Sequence, residues 1–406
     1  MLSIDELPFK PVLIVGGGPS GIGCALRLLQ EGLEVCVVDK ARFPREKLCG
    51  GLLTYKTRVL LRSLLGDHYE EAMQEAGATR HDTITLWNGM ERMVSANLPF
   101  ELGEMASRTS LYMEDLPVDD PGICVVQRPR LDNHLVQRFK QMGGEMLEGD
   151  GVMDVDFDNK VVTLASGNRL SYRHLVVCDG ANSHVVHLLQ KKKSCLLDNG
   201  KKTLCCEINV NPADVDVRGI HVHIGAVPKS YAYVFSKQDT VCIGLCKVHE
   251  ADFNARNALL EFCKKIGVRN LDKYPIKGAM IPRKTSVKDP VWQDSVFLAG
   301  DAAGLIDYPT AEGLYFAYRT GIDVAEALIA GNAAHYRQRY RRLYRYVHRS
   351  EFYQRLTTNP RFLSLMHRKA ERHKGFVAYF YLIRIESLCR HSFLRLMWNW
   401  KRRKRR

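Results

Sequence analysis

Two kinds of hydrophobic pattern follow one another along this 406-residue chain. Val12–Val15, Val35–Val38, Leu175–Cys178 and Val296–Ala299 are apolar at every position. Such runs predict strands buried on both faces, as in a parallel sheet. Ile208 and Val210, then Ile220, Val222 and Ile224, then Tyr231, Tyr233 and Phe235 instead alternate with other residues. That period predicts antiparallel strands with one wet face. Helical spacing appears at Leu60, Leu61, Leu64 and Leu65 within 52–76, and again over Leu131–Met142, which stops at Gly143-Gly144. Further helices are predicted near 255–266 and 312–330. Cys124–Val126 reads as a short strand. Val161–Leu164, the turn Ser166-Gly167-Asn168 and the run from Leu170 form a hairpin signal. Residues 81–118 mix short apolar runs with Gly, Pro and Asp and carry no assignable period.

The order is therefore parallel-type, antiparallel-type, then parallel-type again, so one domain interrupts another. The predicted fold class is α/β. A Rossmann-like domain is assigned to 1–80, 121–190 and 285–330. An inserted antiparallel-sheet substrate domain takes 81–120 and 191–284, and a helical basic tail takes 331–406. A chain of this length has room for two or three domains.

Charge separates the tail from the rest. Residues 1–330 hold 38 Lys/Arg against 42 Asp/Glu, whereas 331–406 hold 21 against three, Glu351, Glu371 and Glu386. The net charge of +14 is thus a property of the tail, which points to a polyanionic partner. Arg337, Arg339, Arg341, Arg342, Arg345 and Arg349 stand among tyrosines, followed by apolar clusters at 376–383 and 393–400 and six terminal cations. Helices lying in an anionic membrane interface fit this mixture. Arg384 and Glu386 argue against a spanning helix. A helical lid is the plainer alternative, and nucleic acid ranks behind both because no binding motif is present. The N-terminus shows no secretory pattern, and the twelve cysteines form no CxxC pair. A cytoplasmic protein, peripheral on the inner face of a membrane, is the expectation. His221 and His223 share one strand face. With no third ligand evident they read as a solvated face, and no metal site is expected.

The first strand runs into Gly16-Gly17-Gly18-Pro19-Ser20-Gly21, and the second ends at Asp39-Lys40. This is G-x-G-x-x-G between strand and helix, with a carboxylate at the end of the next strand. Gly16 allows the tight turn, Gly18 lets the backbone approach a pyrophosphate, and Gly21 lets the helix pack on the sheet. Asp39 is placed to accept hydrogen bonds from a ribose. The pattern specifies a dinucleotide site.

Other segments resemble parts of a known family. Val177-Cys-Asp179-Gly180 looks like the DG motif of FAD-dependent hydroxylases, Gly300-Asp301 resembles their GD motif, and Arg128 sits where they place a flavin-contacting arginine. Pro44-Arg-Glu-Lys-Leu-Cys49-Gly50-Gly51 is similar to the cysteine–glycine–glycine loop of geranylgeranyl reductases. Pro309-Thr-Ala-Glu312-Gly313-Leu314 resembles their segment at the mouth of the flavin site. Over roughly residues 10–330 the chain thus resembles the geranylgeranyl reductase family, relatives of the para-hydroxybenzoate hydroxylase-type flavoproteins. The resemblance implies FAD as cofactor, and an external electron donor, either NAD(P)H or ferredoxin. It implies reduction of carbon–carbon double bonds in an isoprenoid or related lipid. It also implies cofactor contacts at Gly16, Gly18, Gly21, Asp39, Lys40, Cys49, Gly50, Gly51, Arg128, Val152, Asp179, Asp301, Gly313 and Leu314.

Departures from the family pattern fall in the substrate sheet and at the end of the DG motif. Tyr233 replaces a tryptophan, and Cys246 in Gly244-Leu-Cys246 replaces a second glycine. Val186 stands where an arginine often ends the DG motif. Cys49, Glu312 and Tyr233 are the candidate catalytic residues. Cys49 is either a thiol near the ring or a small residue in a tight loop. Glu312 is a proton relay or, the favoured reading, structural. Tyr231, Tyr233 and Phe235 line a lipid pocket or a core. Two other activities remain open, a flavin monooxygenase or halogenase and an electron-transfer flavoprotein. Gly304, where hydroxylases commonly carry histidine, counts against the former.

Overall fold

The computed structural model describes residues 6–98, 122–192, 202–227, 230–247, 253–283, 287–357 and 359–370. The chain opens with β1 (Phe9–Val15), α1 (Pro19–Gln30), β2 (Val35–Asp39), β3 (Leu52–Leu53), α2 (Tyr55–Leu65) and α3 (Tyr69–Glu75). Next come β4 (Thr79–His81), β5 (Thr83–Asn88), β6 (Glu91–Asn97), β7 (Ile123–Val125), α4 (Arg128–Gln141) and β8 (Glu145–Glu148). The middle supplies β9 (Val152–Asp156), β10 (Val161–Leu164), β11 (Arg169–Val177), α5 (His184–Lys191), β12 (Lys202–Val210), β13 (Ile220–Ile224), β14 (Tyr231–Ser236), β15 (Val241–Cys246) and α6 (Ala255–Lys265). The last elements are β16 (Lys277–Pro282), β17 (Val291–Trp292), β18 (Val296–Leu298), α7 (Leu314–Ile329), α8 (Ala333–Thr357) and α9 (Pro360–Ala370).

The fully apolar runs gather in one sheet, ordered β17-β18-β11-β1-β2-β8, with β10 and β9 branching from β11. β1 lies parallel to both β2 and β11, and β11 lies parallel to β18. Leu13, Ile14, Val37, Val176 and Val296 are fully buried, which is why these strands need no polar face. β10 and β11 form the antiparallel hairpin expected from their turn. α1 and α7 cover this sheet, and their buried residues share one core with α8.

The alternating runs gather in a second sheet, ordered β16-β12-β15-β14-β13-β5-β6. Its pairings are antiparallel except for β13 with β5, which run parallel where the β5–β6 hairpin joins the edge. The residues that carried no assignable period thus supply two strands, and 99–121 lie outside the described residues. On one face the sheet packs against α6, where Ile208, Val234, Ile243, Leu259 and Phe262 form a separate core. The region 52–76 is not one helix. β3 pairs with β7, and Gly66, at φ 54°, turns the chain between α2 and α3.

Candidate functional site

A cavity of about 900 Å³ runs from the C-terminal ends of β1 and β2 across to the free face of the second sheet. All but one of the fourteen expected cofactor-contact residues line it: Gly16, Gly18, Asp39, Lys40, Cys49, Gly50, Gly51, Arg128, Val152, Asp179, Asp301, Gly313 and Leu314. Gly21 stands behind the wall.

The first half of the cavity is shaped by backbone. Gly16 has φ 99°, and a Cβ there would sit 2.5 Å from the Cys178 carbonyl oxygen. A Cβ on Gly21 would fall 1.8 Å from the Gly16 oxygen. α1 starts with Pro19 and has no side-chain cap, so its first N–H groups are available to an anion. Asp39 accepts from the Gly17 N–H and the Ala41 N–H, each at 2.8 Å, and is nearly buried. Each oxygen keeps a second lone pair for a ribose hydroxyl. Arg128 is buried and forks onto Asp132 with two 2.9 Å bonds. Removing either partner leaves a buried charge, at a cost of about 3–5 kcal/mol.

Asp179 and Asp301 occupy strand ends at the cavity wall. Asp179 Oδ2 accepts from the His184 and Val185 N–H groups at the start of α5. Its Oδ1 is buried and has no protein partner. Burial raises both carboxyl pKa values, opposed at Asp301 by Lys47 and Arg128. Gly313 precedes α7, and a Cβ there would come 3.5 Å from Asp301 Oδ1. Two helix N-termini without side-chain caps, an orphaned carboxylate oxygen and a cradle a Cβ would fill together fit an extended dinucleotide.

Side chains shape the second half. Strand register sets them in rows. Cys205 pairs with Cys246, which pairs with Tyr231; Glu207 pairs with Gly244, which pairs with Tyr233; Cys242 pairs with Phe235. Glu207 is the residue that sequence reading missed. It is 3% exposed, and Oε1 accepts from the Cys49 N–H at 3.0 Å. Its Oε2 accepts from Tyr233 Oη at 3.1 Å and faces Cys242 Sγ at 3.6 Å. The carboxylate therefore ties the 47–51 loop to the second sheet. A glutamate between Cys206 and Ile208 in the middle of the strand was its only signal. Burial, then Glu207, pushes the Tyr233 hydroxyl well above its ordinary range, so it stays protonated. Ile84, Val222, Ile224, Leu204, Met280, Ile281 and Ile306 complete the apolar walls.

The loop glycines serve protein contacts as well as the cavity. A Cβ on Gly50 would meet the Phe235 ring at 2.7 Å, and one on Gly51 would lie 2.1 Å from the Val126 oxygen. Cys49 Sγ accepts from the Gly51 N–H at 3.4 Å. Glu312 is engaged, with Oε1 accepting from Thr54 Oγ1 at 2.7 Å and Oε2 lying 2.5 Å from Lys56 Nζ. That ion pair fastens the 309–313 segment to α2. The segment is tightly turned, with Ala311 at φ 54°.

Two sequence expectations change. His221 and His223 do not form a solvated face. His223 is 2% exposed, stacks on Trp87 at 4.9 Å, and meets the edge of Phe262. His221 Nδ1 faces the Trp87 Nε1–H at 3.1 Å and Nε2 lies 2.6 Å from the Arg218 oxygen, which makes it a neutral packing residue. Nor do all the arginines of 337–349 stand free for a lipid surface. Arg337 pairs with Asp289 and Asp294, and Arg339 with Asp323 and Glu326. Tyr336, Tyr340 and Tyr346 of α8 are buried, with hydroxyls on the Leu298 oxygen, the Val287 and Ala303 oxygens, and Asp307. α8 thereby holds the 307–310 turn beside the cavity, and its Gln354 lines the wall. The apolar clusters at 376–400 and the terminal cations lie outside the described residues. Among the described residues no helix is long and apolar enough to cross a membrane.

Residues 10–350 match the family model described as FAD binding domain. Geranylgeranyl diphosphate reductase of Rhodobacter capsulatus is 26% identical over 326 residues, 78% of this chain and 74% of that protein. Menaquinone reductase of Mycolicibacterium smegmatis is 25% identical over 350 residues, 80% and 78% of the two chains. The solved p-nitrophenol 4-monooxygenase of Pseudomonas putida superposes with a TM-score of 0.71 at 17% identity, covering 94% of this chain and 99% of that one. That likeness shows a shared fold.

Proposed function

Because the chain belongs to the FAD binding domain family, an FAD-dependent oxidoreductase by class, we propose that it reduces carbon–carbon double bonds of an isoprenoid or isoprenoid-bearing lipid. FAD supplies hydride chemistry when bound. Gly16, Gly18, Asp39, Arg128, Asp179 and Asp301 would hold it. The observation that carries the reading is the second half of the cavity. Its walls are mainly aliphatic and aromatic, with two thiols and the uncharged Ser230 and Gln354, and Glu207, its one charged side chain among the described substrate-sheet lining, is already occupied by the Cys49 N–H and Tyr233. Such a wall suits an uncharged hydrocarbon. Tyr233 would be the proton donor through Oη; its one O–H rests on Glu207 Oε2 and would turn from that carboxylate to reach the substrate. Cys49 is the second candidate, and Glu312 serves to position the 309–313 segment. Two relatives named as reductases of isoprenoid-bearing compounds support the substrate class.

The test is reoxidation of the reduced protein without oxygen. Geranylgeranyl diphosphate and a menaquinone are the probes. Return of the oxidised flavin spectrum with either, and a product that stays two hydrogens heavier in its prenyl chain after any quinol has been reoxidised in air, supports the reading. A flavin that stays reduced with both until oxygen is admitted overturns it and favours a monooxygenase. The electron donor and any docking of the tail on anionic membranes belong to the same proposal. NAD(P)H and ferredoxin are separated by which one bleaches the oxidised flavin.

A further inference from the structure

Cys246 departs from the glycine that the family resemblance expects, and the structure places a partner opposite it. Cys205 on β12 and Cys246 on β15 are register partners, with sulfurs 2.8 Å apart. Non-bonded heavy atoms at best contact stand about 3.5–4 Å apart, and a formed disulfide has its sulfurs about 2.05 Å apart. Both residues line the cavity. The other nearby thiols are turned elsewhere. Cys206 packs on the opposite face with Ile208 and Leu245, Cys242 faces Glu207, and Cys49 Sγ accepts from Gly51.

We infer that Cys205 and Cys246 are a redox modification site, closing to an intramolecular disulfide when a peroxide enters the cavity. One thiol sulfur takes an oxygen from hydrogen peroxide, releases water and becomes a sulfenic acid. The second sulfur displaces that hydroxyl as a second water and forms the S–S bond. Two thiols and one peroxide thus give one disulfide and two waters. The Cys246 sulfur, together with burial, pushes the Cys205 thiol well above its ordinary range. The attacking thiolate is therefore scarce, and closure is slow. It modifies the standing enzyme and is not a step in each turnover. β12 and β15 are already paired, so closure leaves the sheet as it is. It removes two S–H groups from the wall beside Tyr231. The inference does not depend on the reaction proposed above.

The experiment uses the full-length, FAD-loaded protein. It is treated with hydrogen peroxide, unfolded in excess iodoacetamide and mapped by mass spectrometry, with backbone fragmentation separating Cys205 from Cys206. The expected result is a Cys205–Cys246 linked peptide, two alkyl groups lost and both restored by dithiothreitol. Cys246→Gly should lose the link and keep its flavin spectrum. Cys205→Ser is the second variant should Cys246→Gly misfold. Alkylation of both cysteines after peroxide overturns the inference. So does a link from Cys246 to any other cysteine, or sulfinic acid at Cys205 in place of the link.

Discussion

The two halves of the cavity are built differently. In the dinucleotide half the shape comes from backbone that closes on itself, with Gly16 under the Cys178 carbonyl and Gly21 against the Gly16 carbonyl. In the substrate half it comes from side chains brought together across strands, with Glu207, Gly244 and Tyr233 in one row. A backbone cradle admits almost no variation, because nothing can move aside. A wall of side chains can be re-tailored one residue at a time. The substrate wall is also where most of this chain's departures from the family pattern lie, with Val186 the exception on the dinucleotide side.

The sharpest way to break this comparison is Gly21→Ala. A methyl group 1.8 Å from the Gly16 oxygen forces α1 away from β1. Flavin occupancy of the purified protein should fall at least tenfold, with a loss of several kcal/mol in stability, since overpacking alone costs about 1–3 kcal/mol. Full flavin content in the variant would mean that the cradle yields after all. Gly244→Ala is the matching change on the other side. Its Cβ would come 2.3 Å from Tyr233 Oη, the end of a side chain that can swing aside. The protein should keep its FAD, while anaerobic reoxidation by lipid slows about 100-fold, the scale of a roughly 1 Å misplacement at a reacting centre. Loss of flavin from Gly244→Ala would erase the distinction between the halves.

This difference also decided what was legible in the sequence. The strand–glycine–helix turn and Asp39 lie within one short stretch, so spacing alone places them. Fully apolar and alternating runs separated the two sheets before any contact was known. Glu207 was not legible as a site residue, because its meaning lies in Cys49 and Tyr233, 158 and 26 residues away. The histidines were misjudged for a related reason. Alternation says that a face exists but not what covers it, and here Trp87 from the joining β5–β6 hairpin and Phe262 from α6 cover His223. The tyrosines of α8 looked like part of a basic tail because charge was counted along the chain. Their burial depends on where the helix docks.

A smaller effect tests the rear of the substrate sheet. Burial lowers the His223 pKa to about 4, although Nδ1 lies 3.0 Å from the Gly89 oxygen. The unfolded chain takes up this proton near 6.5 and the folded one only near 4, so stability is lost as pH falls through that window. From pH 7 to pH 5 the loss should be about 2 kcal/mol. Asp179 and Asp301 run the other way, their raised pKa values favouring the folded state at low pH. The quantity to measure is therefore the difference in urea midpoint between wild type and His223→Gln at the two pH values. Glutamine can still donate to Gly89 but does not titrate. Equal pH slopes in the two proteins would show that His223 is protonated in place.

The finest test is Glu207→Gln, which changes charge and one acceptor and almost no volume. All three partners of Glu207 are donors, namely the Cys49 N–H, Tyr233 O–H and Cys242 S–H. A carboxylate meets them with two acceptor oxygens, whereas an amide offers one acceptor and a donor. With its oxygen turned to Cys49, the variant keeps the loop seated, but its NH₂ then donates to Tyr233 Oη and the hydroxyl's own proton must point elsewhere, without its carboxylate acceptor. Losing one such charge-assisted hydrogen bond is worth about 1.5–3 kcal/mol, so reoxidation by lipid should slow at least about tenfold with flavin content unchanged. With the oxygen turned to Tyr233 instead, the amide meets the Cys49 N–H and the loop lifts, so flavin is lost and the rate per bound flavin is kept. Measuring flavin content and rate on the same sample separates the two. An unchanged rate with unchanged flavin would remove Glu207 from the working site and leave it as a buried charge that the sheet merely tolerates.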